Sequence, residues 1–355
     1  MTTSTQKEDV NATFGGLAKC LQHIYASLDV VAIRCALELR IPDVINNHDG
    51  PVTLAQIAHG INSSSLNVDG LSRLMSFLVH RQIFDRVHQP QSEEPLYTLN
   101  PCSKWLVQDP KTTNIAPYVM MVTNPSLRSL LANLSKCISE GGTTAMKAFG
   151  VDFWSYLSVN PRVNDIFNEG MACGTRITMD ALMSNYKFDG LKGTLVDVGG
   201  GIGAAINEIV TKYPHLNGIN FDLPQVISTA PTYKGVTHVG GDMFKAIPPA
   251  DSIFMKSVLH DWSDNDCVRI LKKCRDSISG RKGKMVIVDT ILHRGEDDAL
   301  EYTRVAHDLM MFSLFENGKE RTEVEWKKIL NDAGFYRYNI IQIPAIESII
   351  EVYSD

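Results

Sequence analysis

Residues 194–204 read TLVDVGGGIGA. An apolar run, Leu195 to Val198, meets Gly199, Gly200, Gly201 and Gly203 and then a helix-forming segment. Glycine permits a tight turn and lets backbone N–H groups come close to a ligand, so the stretch reads as strand, ligand loop and helix start. The pattern alone does not choose its ligand. Gly199, Gly201 and Ala204 satisfy the dinucleotide motif G-x-G-x-x-A, and a purely structural turn gives the same letters.

Downstream, the runs GINFD, VTHVGGD, SIFMKSV and KMVIVDTIL alternate with helical segments near Ala204–Lys212, Asp264–Ser279 and Glu301–Phe312. That alternation predicts an α/β fold, a parallel sheet with helices on both faces. The closing runs YNIIQIPA and IESIIEVY, joined around a proline, predict a terminal hairpin. Upstream, about 110 to 187 reads as mostly helical. Leu17, Leu21, Ile24, Leu28, Val31 and Cys35 mark one stripe of a helix running to Leu39. A short helix capped by Thr53, a second through Leu71, Leu74, Met75 and Leu78, and extended pieces near Ile83–Val87 and Leu96–Leu99 outline a winged helix. A polar, proline-containing turn is expected between those two pieces. Winged helices can read DNA, but this second helix carries Ser72, Arg73 and Ser76, with Ser65 just before it, rather than a cluster of bases. A folded interaction domain fits better. Expected domains are 1–110 and 111–355, the latter comprising a helical part, 111–187, and a sheet-containing part, 188–355.

At 355 residues, 44% hydrophobic and 21% charged, the chain suits two globular domains. A net charge of -6 gives no footprint for nucleic acid or anionic lipid, so neither partner is expected. The start, MTTSTQKEDVNA, lacks a signal-peptide core, and no apolar run reads as a bilayer span. Seven scattered cysteines without a C-x-x-C suit reduced thiols in the cytoplasm.

Two features bear on the ligand. Asp222 closes the second strand about twenty residues after the loop, where a carboxylate can accept from ribose hydroxyls. The next strand ends in Asp242, Met243 and Phe244, an acid, a thioether and a ring suited to an adenine. Asp197 also replaces the apolar residue usual in NAD folds. Together these favour S-adenosylmethionine over NAD. The fourth strand ends in His260-Asp261-Trp262, at the sheet edge where such folds bind ligands. Asp261, Asp264 and Asp266 suggest a metal cluster, but acids also crowd helix starts for dipole reasons, and no metal is expected. Asp289 ends the next strand, and Glu320 in GKERTE reads from spacing alone as a surface charge.

The ordered motifs LVDVGGG, FDLP, GGDMF, LHDWSD and GKERTE resemble the plant small-molecule O-methyltransferases over nearly the whole chain. The resemblance implies a Rossmann-like class I methyltransferase domain with an N-terminal helical, winged-helix dimerisation domain, a homodimer, and transfer from S-adenosylmethionine to a phenolic hydroxyl. It implies cofactor contacts at Gly199, Asp222, Leu223, Asp242, Met243, Phe244, Lys256 and Trp262. His260 matches the catalytic base, bracketed by Asp289 and Glu320. Phe167, Met171, Met311 and Phe315 match the acceptor pocket. Two positions depart: some relatives carry glutamate at Asp289, and His307 stands where an aliphatic or aromatic residue is expected. His307 either reaches the pocket or is a satisfied helix histidine, and the second reading is favoured. A phenol near 10 and a histidine near 6.5 differ by roughly 3.5 units, about 5 kcal/mol, a gap that two carboxylates would narrow. FNEGMACGTR and PAIESIIEVY resemble the benzylisoquinoline alkaloid branch, with flavonoid and isoflavonoid enzymes second.

Overall fold

The computed structural model describes residues 4–89, 92–109, 112–278, 283–293 and 298–354. The expected boundary at 110/111, the centre of the expected turn at 90–91 and Ser279 lie outside the described residues. Contacts divide the chain into two compact units, 1–128 with 161–174 and 129–160 with 175–355. One helix, Pro161–Asn185, belongs to the first unit at its start and to the second thereafter.

The first unit holds the winged helix. The helix Leu54–Ile61 begins on a reciprocal cap: Thr53 accepts from the backbone N–H of Gln56, whose side chain accepts from the N–H of Thr53. Asn67 caps the next helix, Val68–His80. Strands β1 (Val52–Thr53), β2 (Phe84–Gln89) and β3 (Ser92–Leu99) form an antiparallel sheet in the order β1-β3-β2. Ile41, Ile57, Met75, Leu78 and Phe84 are almost wholly buried at its core.

The single amino-terminal helix expected through Leu39 is in fact two, Ser4–Tyr25 and Ser27–Glu38. The hydroxyl of Ser27 donates to the carbonyl of Ile24, a local bond that competes with the helical ladder. The expectation that no run approaches bilayer length also fails. Thr13–Glu38 is 26 residues long, and its most apolar 18-residue window has a mean hydropathy of 1.2 and is 11% buried. By length and composition it is long and apolar enough to cross a membrane. The reason is a second apolar face. Ala32, Ala36 and Leu37 point into the core, while Leu17, Leu21, Ile24, Leu28 and Val31 stay exposed.

In the second unit, β4 (Gly193–Val198), β5 (Leu216–Asp222), β6 (Val236–Gly240), β7 (Ser252–Lys256) and β8 (Lys284–Leu292) are parallel. The short β9 (Arg321–Thr322) adds to β8 in parallel. The terminal hairpin forms from β10 (Arg337–Gln342) and β11 (Glu347–Tyr353), with β11 inserted antiparallel beside β8. The order is β10-β11-β8-β7-β4-β5-β6. This is the predicted Rossmann-like α/β sheet. One apolar cluster includes Val196, Ile253, Ile270 and Trp326, and another joins Leu195, Ile206, Phe254 and Val288. The side chains of each strand alternate between the two, so the sheet is buried on both faces.

Candidate active site

Register sets the carboxyl edge of this sheet. Val198 pairs with Phe221, Asp222 with Gly240, and Lys256 with Val288, so the residues following β4, β5, β6 and β7 emerge side by side. Gly199, Gly201 and Gly203 have φ of +70°, +59° and +85°, conformations that only glycine adopts cheaply. A Cβ on Gly199 would also meet Val258 at 2.8 Å. The loop is fastened to Asp222: Gly201 N donates to its Oδ2 at 2.8 Å and Leu223 N to its Oδ1 at 2.6 Å. The Asp222 carboxylate is thereby aimed from two backbone bonds. The loop N–H groups and this carboxylate fit a nucleoside carrying an amino-acid tail.

Beyond β6, Asp242 Oδ1 accepts from Phe244 N at 2.9 Å, and its carboxylate pairs with Lys245 at 3.2 Å. The Phe244 N–H and then Lys245 hold Asp242 below the ordinary carboxylate range. Phe244 meets Trp262 edge-on at 4.7 Å, with the Arg269 guanidinium 4.9 Å from the Phe244 ring. Met243, Phe244 and Trp262 are half-buried against the main core. Lys256 ends β7, its Nζ 3.3 Å from Ser257 Oγ.

His260 lies in a single 3₁₀ turn, Leu259–Asp261, just after β7. Its Nδ1 is 3.0 Å from Glu320 Oε1 and 3.6 Å from Asp289 Oδ1, and its Nε2 is 3.5 Å from Asp261 Oδ1. The imidazole is 16% exposed, Asp289 and Glu320 only 1%. Burial by itself lowers the imidazole's proton affinity. Asp289, Glu320 and Asp261 outweigh it and push the pKa up to about 10. Burial likewise raises Asp289 to about 7 and Asp261 to about 6, opposed by His260. Among the described residues Asp289 Oδ2 and Glu320 Oε2 are buried with no hydrogen-bond partner, so the negative charge of this cluster faces the ring. The three ligating atoms lie within 4.8 Å of one another, a spacing that also suits a divalent cation.

The GKERTE segment builds this cluster in a way its letters did not show. Lys319 N donates to His260 O at 2.9 Å, and Glu320 N donates to Asp308 Oδ1 at 3.0 Å. Arg321, fully buried, donates to Leu259 O at 2.8 Å, Trp262 O at 2.7 Å and Asp264 Oδ1 at 3.0 Å. It clamps both ends of the turn that presents His260. Asp264 also pairs with Lys319, and Asp266 with Arg269 and Ser263. Those acids are therefore tied to cations and to a helix cap, the dipole reading of the run. Arg321 and Asp308 were missed because the groups they hold lie elsewhere in sequence, and Asp261, read as one of a cluster of acids, faces His260 instead.

Of the four acceptor-pocket residues, Phe167 and Met171 lie on the first-unit part of helix Pro161–Asn185, Phe167 half-buried and Met171 42% exposed. Met311 is buried on the second-unit helix Glu301–Leu314. Phe315, just after it, stacks on Trp154 at 5.7 Å and meets Phe153 edge-on at 6.1 Å. A groove of about 1010 Å³ runs along a different face of this helix, lined by Tyr302, Val305, Leu309 and Phe312 and reaching Glu320. His307 is half-buried on the same helix, and burial lowers its pKa despite Glu320 and Glu347 nearby.

Two family matches divide the chain. Residues 131–336 match the O-methyltransferase domain, and residues 21–109 match the O-methyltransferase dimerisation domain. The chain belongs to the O-methyltransferase family. It is 44% identical over 347 residues to (R,S)-reticuline 7-O-methyltransferase of Papaver somniferum, covering 96% of this chain and 98% of that one. It is 45% identical over 349 residues to desmethylxanthohumol 6'-O-methyltransferase of Humulus lupulus, with 95% and 98% covered. The fold matches CalO1, a methyltransferase of calicheamicin biosynthesis in its SAH-bound form, with TM-score 0.82 at 22% identity over 96% of this chain and 99% of that one. This O-methyltransferase uses S-adenosylmethionine, and its loop and acids fit that donor.

Proposed function

We propose that this O-methyltransferase methylates a phenolic hydroxyl of a benzylisoquinoline-type alkaloid, with His260 as the base. The observation that carries the chemistry is the buried His260–Asp289–Glu320 cluster. Gly199, Asp222, Leu223, Asp242, Met243, Phe244, Lys256 and Trp262 would hold the donor, and Met311 and Phe315 of the second unit would contact the acceptor. S-adenosylmethionine supplies, when bound, a methyl group already activated on sulfur.

The chain must then supply a nucleophile. Glu320 fixes the tautomer: Nδ1–H donates to its carboxylate, which leaves Nε2 to accept. The phenolic O–H proton would pass to Nε2, leaving its electron pair on oxygen, and the imidazolium would be held by Glu320 and Asp289. The bound donor would supply the methyl carbon to that oxygen, the carbon–sulfur pair leaving on the thioether sulfur of S-adenosylhomocysteine. Asp289 and Glu320 raise the proton affinity of the imidazole toward that of a phenol, so the roughly 5 kcal/mol gap facing an ordinary histidine narrows. Orientation of the two reactants contributes a further ~7–11 kcal/mol.

The alkaloid reading rests on the reticuline relative and on norcoclaurine 6-O-methyltransferases at 38% identity. A flavonoid-type acceptor is the second reading, favoured by the 45% relative acting on desmethylxanthohumol. Comparing kcat/KM for an alkaloid panel, a flavonoid panel and caffeic acid separates them. An alkaloid preference supports the first reading, and a flavonoid preference of about tenfold, or 1.4 kcal/mol, reverses it. Repeating the assay with EDTA tests the metal question: unchanged rates uphold the metal-free base, and loss restored by magnesium refutes it.

We also propose a homodimer that covers the exposed stripe Leu17, Leu21, Ile24, Leu28 and Val31, within and beside the matched dimerisation domain. Light scattering at micromolar concentration should give twice the chain mass. A fully active monomer would contradict it.

A further inference from the structure

Asp197 precedes the glycine loop, is 1% exposed and takes no part in the chemistry above. One of its oxygens, Oδ2, is buried with no hydrogen-bond donor among the described residues. The same holds for Asn220 Oδ1, on the neighbouring strand β5. Both crowd one point. A Cβ on Gly200 would collide with Asn220 Oδ1 and would lie 2.6 Å from Asp197 Oδ2. Two donorless oxygens crowding one buried spot repel each other unless a proton stands between them.

The Asn220 amide cannot relieve this by turning over. Its Nδ2 donates to Gly201 O at 2.8 Å, and the same group lies 3.1 Å from His238 Nδ1. Rotation would set Oδ1 against the Gly201 carbonyl. His238 fixes the orientation from the other side, since its Nε2 is 2.9 Å from Pro231 O and carries the ring proton, leaving Nδ1 to accept. Protonation of Asp197 would supply the donor that Asn220 Oδ1 lacks.

We propose that Asp197 is a protonated positioning residue whose O–H donates to Asn220 Oδ1, locking the Gly200–Gly201 turn in its cofactor-binding shape. The resulting chain runs Asp197, Asn220, Gly201 O, with His238 bracing Asn220. It ends one residue from the N–H that aims Asp222. The groups acting on Asp197 are Lys256 of β7, which favours its charged form, Asp222 of β5, which opposes it, and the Ile206 N–H of the following helix, which accompanies the first. Burial exceeds all of these and raises the acid to about 7, so the lock weakens as pH climbs above neutral.

The test is calorimetric titration of S-adenosylhomocysteine into the full-length enzyme, with no turnover involved. Binding that prefers protonated Asp197 must take up protons above its pKa. In buffers of different ionisation enthalpy at about pH 8, uptake should approach about one proton per site. Asp197→Asn mimics the protonated acid, because its amide donates to Asn220 Oδ1. It should keep affinity within about threefold of the natural enzyme near neutrality and remove the proton uptake. Asp197→Leu should lose about tenfold or more at every pH. Zero uptake by the natural enzyme would overturn the proposal even if the variants fail to fold. So would an Asp197→Asn variant that binds more than about tenfold more weakly, or that retains the uptake.

Discussion

The two halves of the sheet's carboxyl edge handle negative charge in opposite ways. After β4 and β5, Asp222 accepts from two backbone N–H groups. Across β7, β8 and the segment before β9, Asp289 and Glu320 are buried, each with one oxygen unpartnered among the described residues, and a histidine is their common neighbour. The first arrangement costs little and suits recognition, since each charge is solvated by fixed dipoles. The second is unstable alone and raises the proton affinity of whatever stands between the acids. With the proposed roles, binding and proton transfer would be separated along one edge, and substitutions on the two sides should fail differently.

The sharpest break is on the base side. His260→Ala should lower kcat by about 10²–10⁴-fold while leaving the calorimetric affinity for S-adenosylhomocysteine within about threefold. A matching loss of affinity would mean the two halves are not separable. Arg321→Met removes the clamp and leaves Asp264 and two carbonyls without their buried donor. A loss of about 3–5 kcal/mol in urea unfolding is expected. A smaller loss, below about 1 kcal/mol, would show that the His260 turn holds itself. On the other side, Asp222→Ala should weaken cofactor binding by about 1.5–3 kcal/mol with kcat at saturation far less changed. Unchanged affinity would remove Asp222 from the site.

The same contrast explains what the sequence disclosed. The loop and strand order follow from local pattern, since Gly199 to Gly203 and the alternating apolar runs are contiguous in the chain. The winged helix was equally legible through Thr53 and the helix Val68–His80. Glu320 looked like a surface charge because nothing near it in sequence buries it. Its burial comes from β8 and from the turn sixty residues earlier. Arg321 and Asp308 were unreadable for the same reason, and Asn220 with His238 carried no motif. The break at Ala26 was hidden because Ser27 acts through one side-chain bond rather than through glycine or proline. The second apolar face of Ser27–Glu38, Ala32, Ala36 and Leu37, is hidden in the sequence because its small residues interleave with the stripe of Leu28 and Val31.

The raised proton affinity of His260 is the centre of this account, and the pH profile of kcat/KM addresses it directly. Only the unprotonated ring accepts, so a pKa near 10 requires activity to climb with pH from neutrality toward that value. The acceptor phenol ionises in the same range, so the natural enzyme and Glu320→Gln must be compared on one acceptor. Removing the Glu320 charge lowers the ring's proton affinity and cannot alter the free phenol. The variant's ascending limb should move to lower pH and level off at a lower rate. A natural enzyme already level from about pH 7 upward, or a variant whose limb stays where the natural one lies, would contradict it.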